Sequence, residues 1–335
     1  MCPVLLFLVF YSHIFLVSLR SGMKKSRFFV VLVLGFCLLF SSSVNAEEGG
    51  TGHYAPGNIA TLIDSAPTKP GWIVQPIVLH YDGSFDGTRQ LPVGGTVSTG
   101  LDVSVNSLVV GALHSFEKKV LGGATYSAGV YLPFTDMDVT GTVGGLSRTD
   151  KANGLGDITI IPAMLAWKDK KWQYNFILPV YAPTGDYEVG QLANLGLNYW
   201  TFDPTIGASY ANPATMFNFA IHAGMTINTE NDDTNYDSGS VLHVEMSAQK
   251  LVPWKKGLFG YGLNAYLYEQ VSGDEGAGAT NGSFKGRSIG VGPVIDYILP
   301  KKDGTWVFEF KWLPEIKTKN RVEGDYFWLK AAWQF

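Results

Sequence analysis

The sequence predicts an all-β fold: a transmembrane up-and-down antiparallel β-barrel of about twelve strands, with both termini on the periplasmic side. Three observations carry that expectation. From Trp72 onward, segments of roughly ten residues alternate between apolar and polar positions, as strands do when one face meets lipid and the other a lumen. The stretches joining these segments alternate between short and long. Six of the nine tryptophans, Trp72, Trp167, Trp172, Trp254, Trp306 and Trp333, fall at the ends served by the short connections, as in the aromatic girdle of a membrane interface.

The front of the chain supplies the compartment. Two apolar runs, 4–19 and 28–40, flank a basic patch at 20–27. The second run reads as a secretory signal, with Met23-Lys24-Lys25-Ser26-Arg27 as its charged start and Val44-Asn45-Ala46 as its cleavage site. Residues 1–46 are therefore expected to be removed, and Met23 is a candidate for the true start. Phe28 to Phe40 is shorter than the ~20 residues a spanning helix needs, which favours cleavage over anchoring. Both cysteines, Cys2 and Cys37, lie in that region, so no disulfide holds the exported chain. A closed hydrogen-bonded barrel is an alternative means of holding it. Residues 47–71 are rich in Gly, Pro and small side chains and lack a period. They are expected to form an N-terminal extension or plug ahead of a barrel at 72–335.

Twelve strands are expected at 72–82, 100–112, 121–134, 155–168, 171–182, 198–210, 215–228, 240–251, 258–270, 287–300, 305–315 and 325–335. The seventh shows the alternation best: Phe217, Phe219, Ile221, Ala223, Met225 and Ile227 interleave with Asn218, Ala220, His222, Gly224, Thr226 and Asn228. The connections at 113–120, 169–170, 211–214, 252–257 and 301–304 are short. Those at 83–99, 135–154, 183–197, 229–239, 271–286 and 316–324 are mostly longer and richer in Asp, Gly, Asn and Thr. The last strand has an aromatic face, Phe327, Leu329, Trp333 and Phe335, and ends on Phe335 in the manner of outer-membrane strands read by the barrel-assembly machinery.

Several stretches resemble a family of Gram-negative outer-membrane proteins named for an association with the meta-pathway of phenol degradation. They are His53-Tyr-Ala-Pro-Gly-Asn58, Asn153-Gly-Leu-Gly-Asp-Ile158, Ala182-Pro-Thr-Gly-Asp-Tyr187, Asn194 to Pro204, Asn228 to Asp237 and Gly290-Val-Gly-Pro293. The resemblance implies an outer-membrane location and transport of hydrophobic or aromatic compounds. It brings no catalytic or ligand residues.

By alternation, the lumen is expected to receive Asp102, Asn106, Asp157, Thr159, Gln173, Asn175, Thr201, Asp203, His222, His243, Glu245, Gln249, Asn264, Asp296, Glu309, Lys311 and Lys330. Carboxylates outnumber lysines in that set, which disfavours anions. Lys330 is expected to face Glu309 across the last hairpin. His222 is expected beside Glu245, where the carboxylate would favour the charged imidazole and create a proton-sensitive site. Loop 229–239 holds Glu230, Asp232, Asp233 and Asp237, a weak calcium candidate without the spacing of a known calcium loop.

These readings point to a passive outer-membrane channel for a small hydrophobic or aromatic compound, surrounded by lipid and lipopolysaccharide. A channel for a polar solute, such as a nucleoside or oligosaccharide, is the alternative. A lipid-modifying enzyme is disfavoured, because Ser240 and His243, close in sequence to Ser238, have opposite parity and none of the motifs of outer-membrane phospholipases is visible. No cofactor is expected, and a net charge of −4 argues against nucleic acid as a partner.

Overall fold

A computed structural model describes residues 51–93, 95–143, 146–279 and 285–335. The expected signal peptide, 1–46, lies outside the described residues. Among those described there is no helix. Twelve barrel strands run in chain order: β1 Gly71–Val93, β2 Thr96–Ser115, β3 Thr125–Val143, and β4 in two parts, Leu146–Leu155 and Ile158–Asp169. β5 is Trp172–Ala182, β6 Thr201–Phe202 with Thr205–Asn212, β7 Phe217–Met225 with Ile227–Asn228, and β8 Val241–Trp254. β9 is Gly257–Gln270, β10 Arg287–Lys301, β11 Gly304–Lys319 and β12 Glu323–Gln334.

Each strand pairs antiparallel with its sequence neighbours, and β1 pairs with β12 from Ile73 against Gln334 to Ser84 against Glu323. The barrel is therefore closed, which leaves no sheet edge unpaired in lipid. Val78, Leu108, Val110, Phe134, Phe310 and Leu329 are exposed on the outer face and form the apolar band. Rings gather at the short-turn end, where Trp306 stacks on Trp333 at 5.5 Å and Trp333 on Phe335 at 4.2 Å. Trp167 differs from the other girdle tryptophans. It is buried under the 116–124 turn and donates from Nε1 to the Leu121 carbonyl at 2.8 Å.

Three expected long loops are strand instead. Segments 83–99 and 135–154 belong largely to the β1–β2 and β3–β4 hairpins, and 316–324 to the β11–β12 hairpin. β1 alone has 23 residues, where about 9–11 cross a membrane, so these hairpins project well past the bilayer. Pairing in the first two hairpins continues to Val93 against Thr96 and to Val143 against Leu146.

Gly71 and Phe335 lie together at the short-turn end, where Trp72 and Phe335 exchange backbone hydrogen bonds of 2.8 and 3.0 Å. Residue 51 lies at the opposite mouth, because residues 51–70 thread the barrel lengthwise. His53 meets Thr201 and Asp157 at the loop end, Tyr54 meets Glu245, and Asn58 meets Lys330. Farther along, Ala66 meets Gln173 and Thr68 meets Lys119 of the β2–β3 turn. The first barrel strand therefore starts, and the last ends, at the same side of the barrel, while residue 51 lies at the other.

Candidate functional site

The lumen has two unlike halves. On β8–β12, inward positions carry Glu245, Gln249, Asp296, Glu309, Lys311 and Lys330, all buried. Glu309 lies 3.1 Å from the Lys311 ammonium and 3.9 Å from that of Lys330, its register partner. Charges removed from water need compensation, and the N-terminal segment provides part of it. Asp64 is 2.7 Å from Lys330 and 3.8 Å from Lys311. The Tyr54 hydroxyl and the Gly57 amide both donate to the Glu245 carboxylate. Gly57 has a φ of 88°, and a Cβ there would stand 2.5 Å from a methyl of Leu313 and 2.6 Å from Trp328 Nε1. Glycine is what lets the segment lie this close to the wall.

Across the lumen, between the segment and the β1–β5 wall, lies a cavity of about 400 Å3. Its wall is mostly aliphatic, with Ile73, Ile77, Leu79, Val105, Val109 and Ile177 among the lining side chains. The roof at the loop end comes from residues 194–197 and from Asp157. Asp157 ties this roof together. Its Oδ1 accepts the amides of Thr184 and Gly185 at 2.9 Å each, and its Oδ2 accepts the Leu197 amide and His53 Nε2 at 2.8 Å each. Four of the stretches singled out in the sequence thus meet at one carboxylate.

Most residues expected in the lumen do face inward. Gln173 reaches the Ala66 carbonyl and the Asn175 side chain, Asn264 donates to the Met246 carbonyl, and Gln249 donates to Asp296. His243 is 2.7 Å from Asp203 and stacks on Tyr54 with ring centres 3.7 Å apart. Asp102 and Asn106 do not face inward. The inward face of β2 is Val105, Ser107 and Val109, which leaves both residues exposed on the outside, Asn106 bonded to His80 at 2.8 Å. Alternation separates the two faces correctly here, but this end of β2 projects beyond the bilayer, where the outer face is the wet one.

The expected His222–Glu245 pair does not form. The two are register partners on β7 and β8, yet Glu245 is taken by Tyr54 and Gly57, while His222 Nε2 lies 3.3 Å from the Asn175 amide. The four acids of loop 229–239 do not converge either. Asp233 accepts from Asn198 at 2.9 Å, and Asp237 exchanges two backbone hydrogen bonds of 2.9 Å with Glu275. Burial, with Glu275 and Glu230 nearby, pushes the Asp237 carboxyl above its ordinary value. Among the described residues no group of three or more His, Cys, Asp or Glu side chains is arranged to hold a metal.

Sequence reasoning missed His53, Tyr54 and Asp64 as site residues, although the first two open one of the recognised motifs. A signal was present: Asp64 is the single acid among residues 51–70 and directly follows the apolar Leu62 and Ile63.

Residues 87–331 match the family model described as "Putative MetA-pathway of phenol degradation". Among solved structures, the chain is similar to an outer-membrane channel from Pseudomonas putida F1, with 14% identity, a TM-score of 0.60, and coverage of 84% of this chain and 100% of that one. The β-domain of the Bordetella autotransporter BrkA is also similar, at 10% identity and a TM-score of 0.49 over 80% of this chain and 100% of that one. No curated protein matches the chain. The fold is that of a Gram-negative outer-membrane barrel.

Proposed function

The chain belongs to the family described for the MetA pathway of phenol degradation, and on that premise we propose that it is a passive outer-membrane channel admitting a small hydrophobic or aromatic compound. The observation that carries this reading is the aliphatic cavity of about 400 Å3 beside the N-terminal segment, within the range of small-molecule sites. The polar half of the lumen is occupied by the segment, so the space left for a solute is the apolar half. The short turns and Gly71 face the periplasm, and the long hairpins face outward. Residues 1–46 act as the signal peptide, and the strand ending at Phe335 engages the assembly machinery.

The reading assigns no catalysis. His53 is placed between Asp157 and Thr201, as a base would be, but the Thr201 hydroxyl donates to Asn228 at 2.7 Å and is not held toward the cavity as a nucleophile. The test is the initial uptake of a labelled alkyl-arene by cells with and without the chain, beside swelling of proteoliposomes in a nucleoside or an oligosaccharide. Faster uptake of the arene with little swelling is expected. Equal uptake in both cell types would refute the transport reading.

A further inference from the structure

Gln75 and Tyr131 form a polar device in the cavity wall, apart from the anchoring of the segment. Gln75 of β1, Gly111 of β2 and Tyr131 of β3 stand in one row: Gln75 is opposite Gly111, and Gly111 is opposite Tyr131. The tyrosine ring lies across the glycine so closely that a Cβ at position 111 would meet ring carbon Cε1 at 2.1 Å. Because the middle strand has no side chain there, the ring spans it and its hydroxyl donates to Gln75 Oε1 at 2.6 Å. Both residues line the cavity, in the half nearer the short turns, among Ile73, Leu113 and Met164.

Several other polar groups of the lining are engaged elsewhere. Ser107 and Thr135 bond each other at 2.9 Å. Asp64 is held by Lys330 and Asp157 by four donors. Among the described residues, no lysine or arginine lines the cavity. A carboxylate entering it would be desolvated without a cation to meet it, whereas a hydroxyl or carbonyl oxygen needs a single donor.

We propose that the Gln75 amide and the Tyr131 hydroxyl form the polar anchor of the cavity, which makes its ligand an uncharged, largely apolar molecule bearing one hydroxyl or carbonyl oxygen, and excludes the corresponding carboxylate. The assignment rests on the channel reading and specifies what that channel selects. The Gln75 amide NH2 donates to the ligand oxygen, and the O–H of a hydroxyl ligand donates a hydrogen bond to the Tyr131 oxygen.

The test uses one ring system with three polarities. 2-Methylnaphthalene, 2-naphthalenemethanol and 2-naphthoate are titrated by fluorescence into the full barrel in nanodiscs, with partition into protein-free discs subtracted. The wild type is expected to bind the alcohol about three- to tenfold more tightly than the hydrocarbon, the worth of one hydrogen bond, and the carboxylate least. Tyr131→Phe keeps the ring over Gly111 and Gln75→Leu removes the amide. Each should bring the ratio toward one. An unchanged ratio in both variants, or tighter binding of the carboxylate than of the alcohol, overturns the anchor. If the hydrocarbon binds as well as the alcohol in the wild type, the anchor falls and the channel reading stands. If none of the three binds, both fall.

Discussion

Replacing Asp64 with alanine should release the N-terminal segment from the lumen. Asp64 is the segment's single acid, and in the docked state it sits against Lys330 and Lys311 and accepts the Thr61 hydroxyl at 2.6 Å. Both lysines are buried, and the wall's own counter-charge to them is Glu309, at 3.1 and 3.9 Å. Deleting one partner of a buried ion pair costs about 3–5 kcal/mol, because the remaining charge stays desolvated. Lys330 keeps the Asn58 carbonyl at 2.9 Å, which favours the lower end of that range. The cost falls on the docked state alone, since water reaches the lysines once the segment has left. At 1.4 kcal/mol per tenfold, about 3 kcal/mol lowers the docked-to-undocked ratio roughly a hundredfold.

Two measurements read the release. Single-channel conductance in planar bilayers should rise in Asp64→Ala. A thiol introduced by Ala66→Cys, buried in the docked segment, should become reactive toward a maleimide in the same background. Adding Lys330→Met should restore docking in part, because the uncompensated charge leaves with the carboxylate. Unchanged conductance together with a thiol that stays unreactive would refute the reasoning, and would assign docking to the apolar contacts of Tyr54, Ile63 and Ala66 instead.

Gly57→Ala should have the same effect by a steric route, since its φ is 88° and Leu313 and Trp328 leave no room, and the same thiol assay checks it. In Asp157→Asn one acceptor becomes a donor facing donors, so the amides of Thr184, Gly185 or Leu197 should exchange hydrogen at least tenfold faster, at about 1–3 kcal/mol per orphaned group. The raised Asp237 carboxyl means that the protonated form suits the paired loops. The associated stability is present below the ordinary carboxylate pKa of about 4 and is lost as pH rises through the elevated value. Asp237→Asn should therefore slow exchange of the residue-237 and Glu275 amides at pH 7, an effect that should vanish in acid. Leu329→Arg places a charge on the lipid face and should destabilise the barrel by about 2–4 kcal/mol in denaturant titrations from lipid vesicles.

The barrel was legible because its strands obey a period. Strand positions, the pairing of Glu309 with Lys330 and the ring belt at the short turns all follow from alternation and loop length. Period alone does not say which face is wet. At Asp102 and Asn106 the strand has left the bilayer, and polar residues turn outward there because water is outside. Length misled in a related way: the stretches after residues 83 and 135 were rich in Asp, Thr and Gly, as loops are, yet most of their residues continue as paired strands. The N-terminal segment was the least legible part, since its conformation is set by contacts with strands more than a hundred residues away, such as His53 with Asp157 and Tyr54 with Glu245.

That segment also changes what the lumen's acidic character means. Counted along the sequence, an excess of carboxylates reads as a filter against anions. In the structure four of the enclosed acids are already engaged by partners: Asp157 by three amides and His53, Asp203 by His243, Glu245 by Tyr54 and Gly57, and Glu309 by two lysines. Three of the four hold either the segment or the His243 ring stacked on it, so these charges act first as fastenings. In the proposed channel, discrimination between solutes then belongs to the wall that carries few charges. There, on the anchor proposed above, an aliphatic surface sets the cost of a charged guest and the glutamine–tyrosine pair sets the reward for a neutral oxygen.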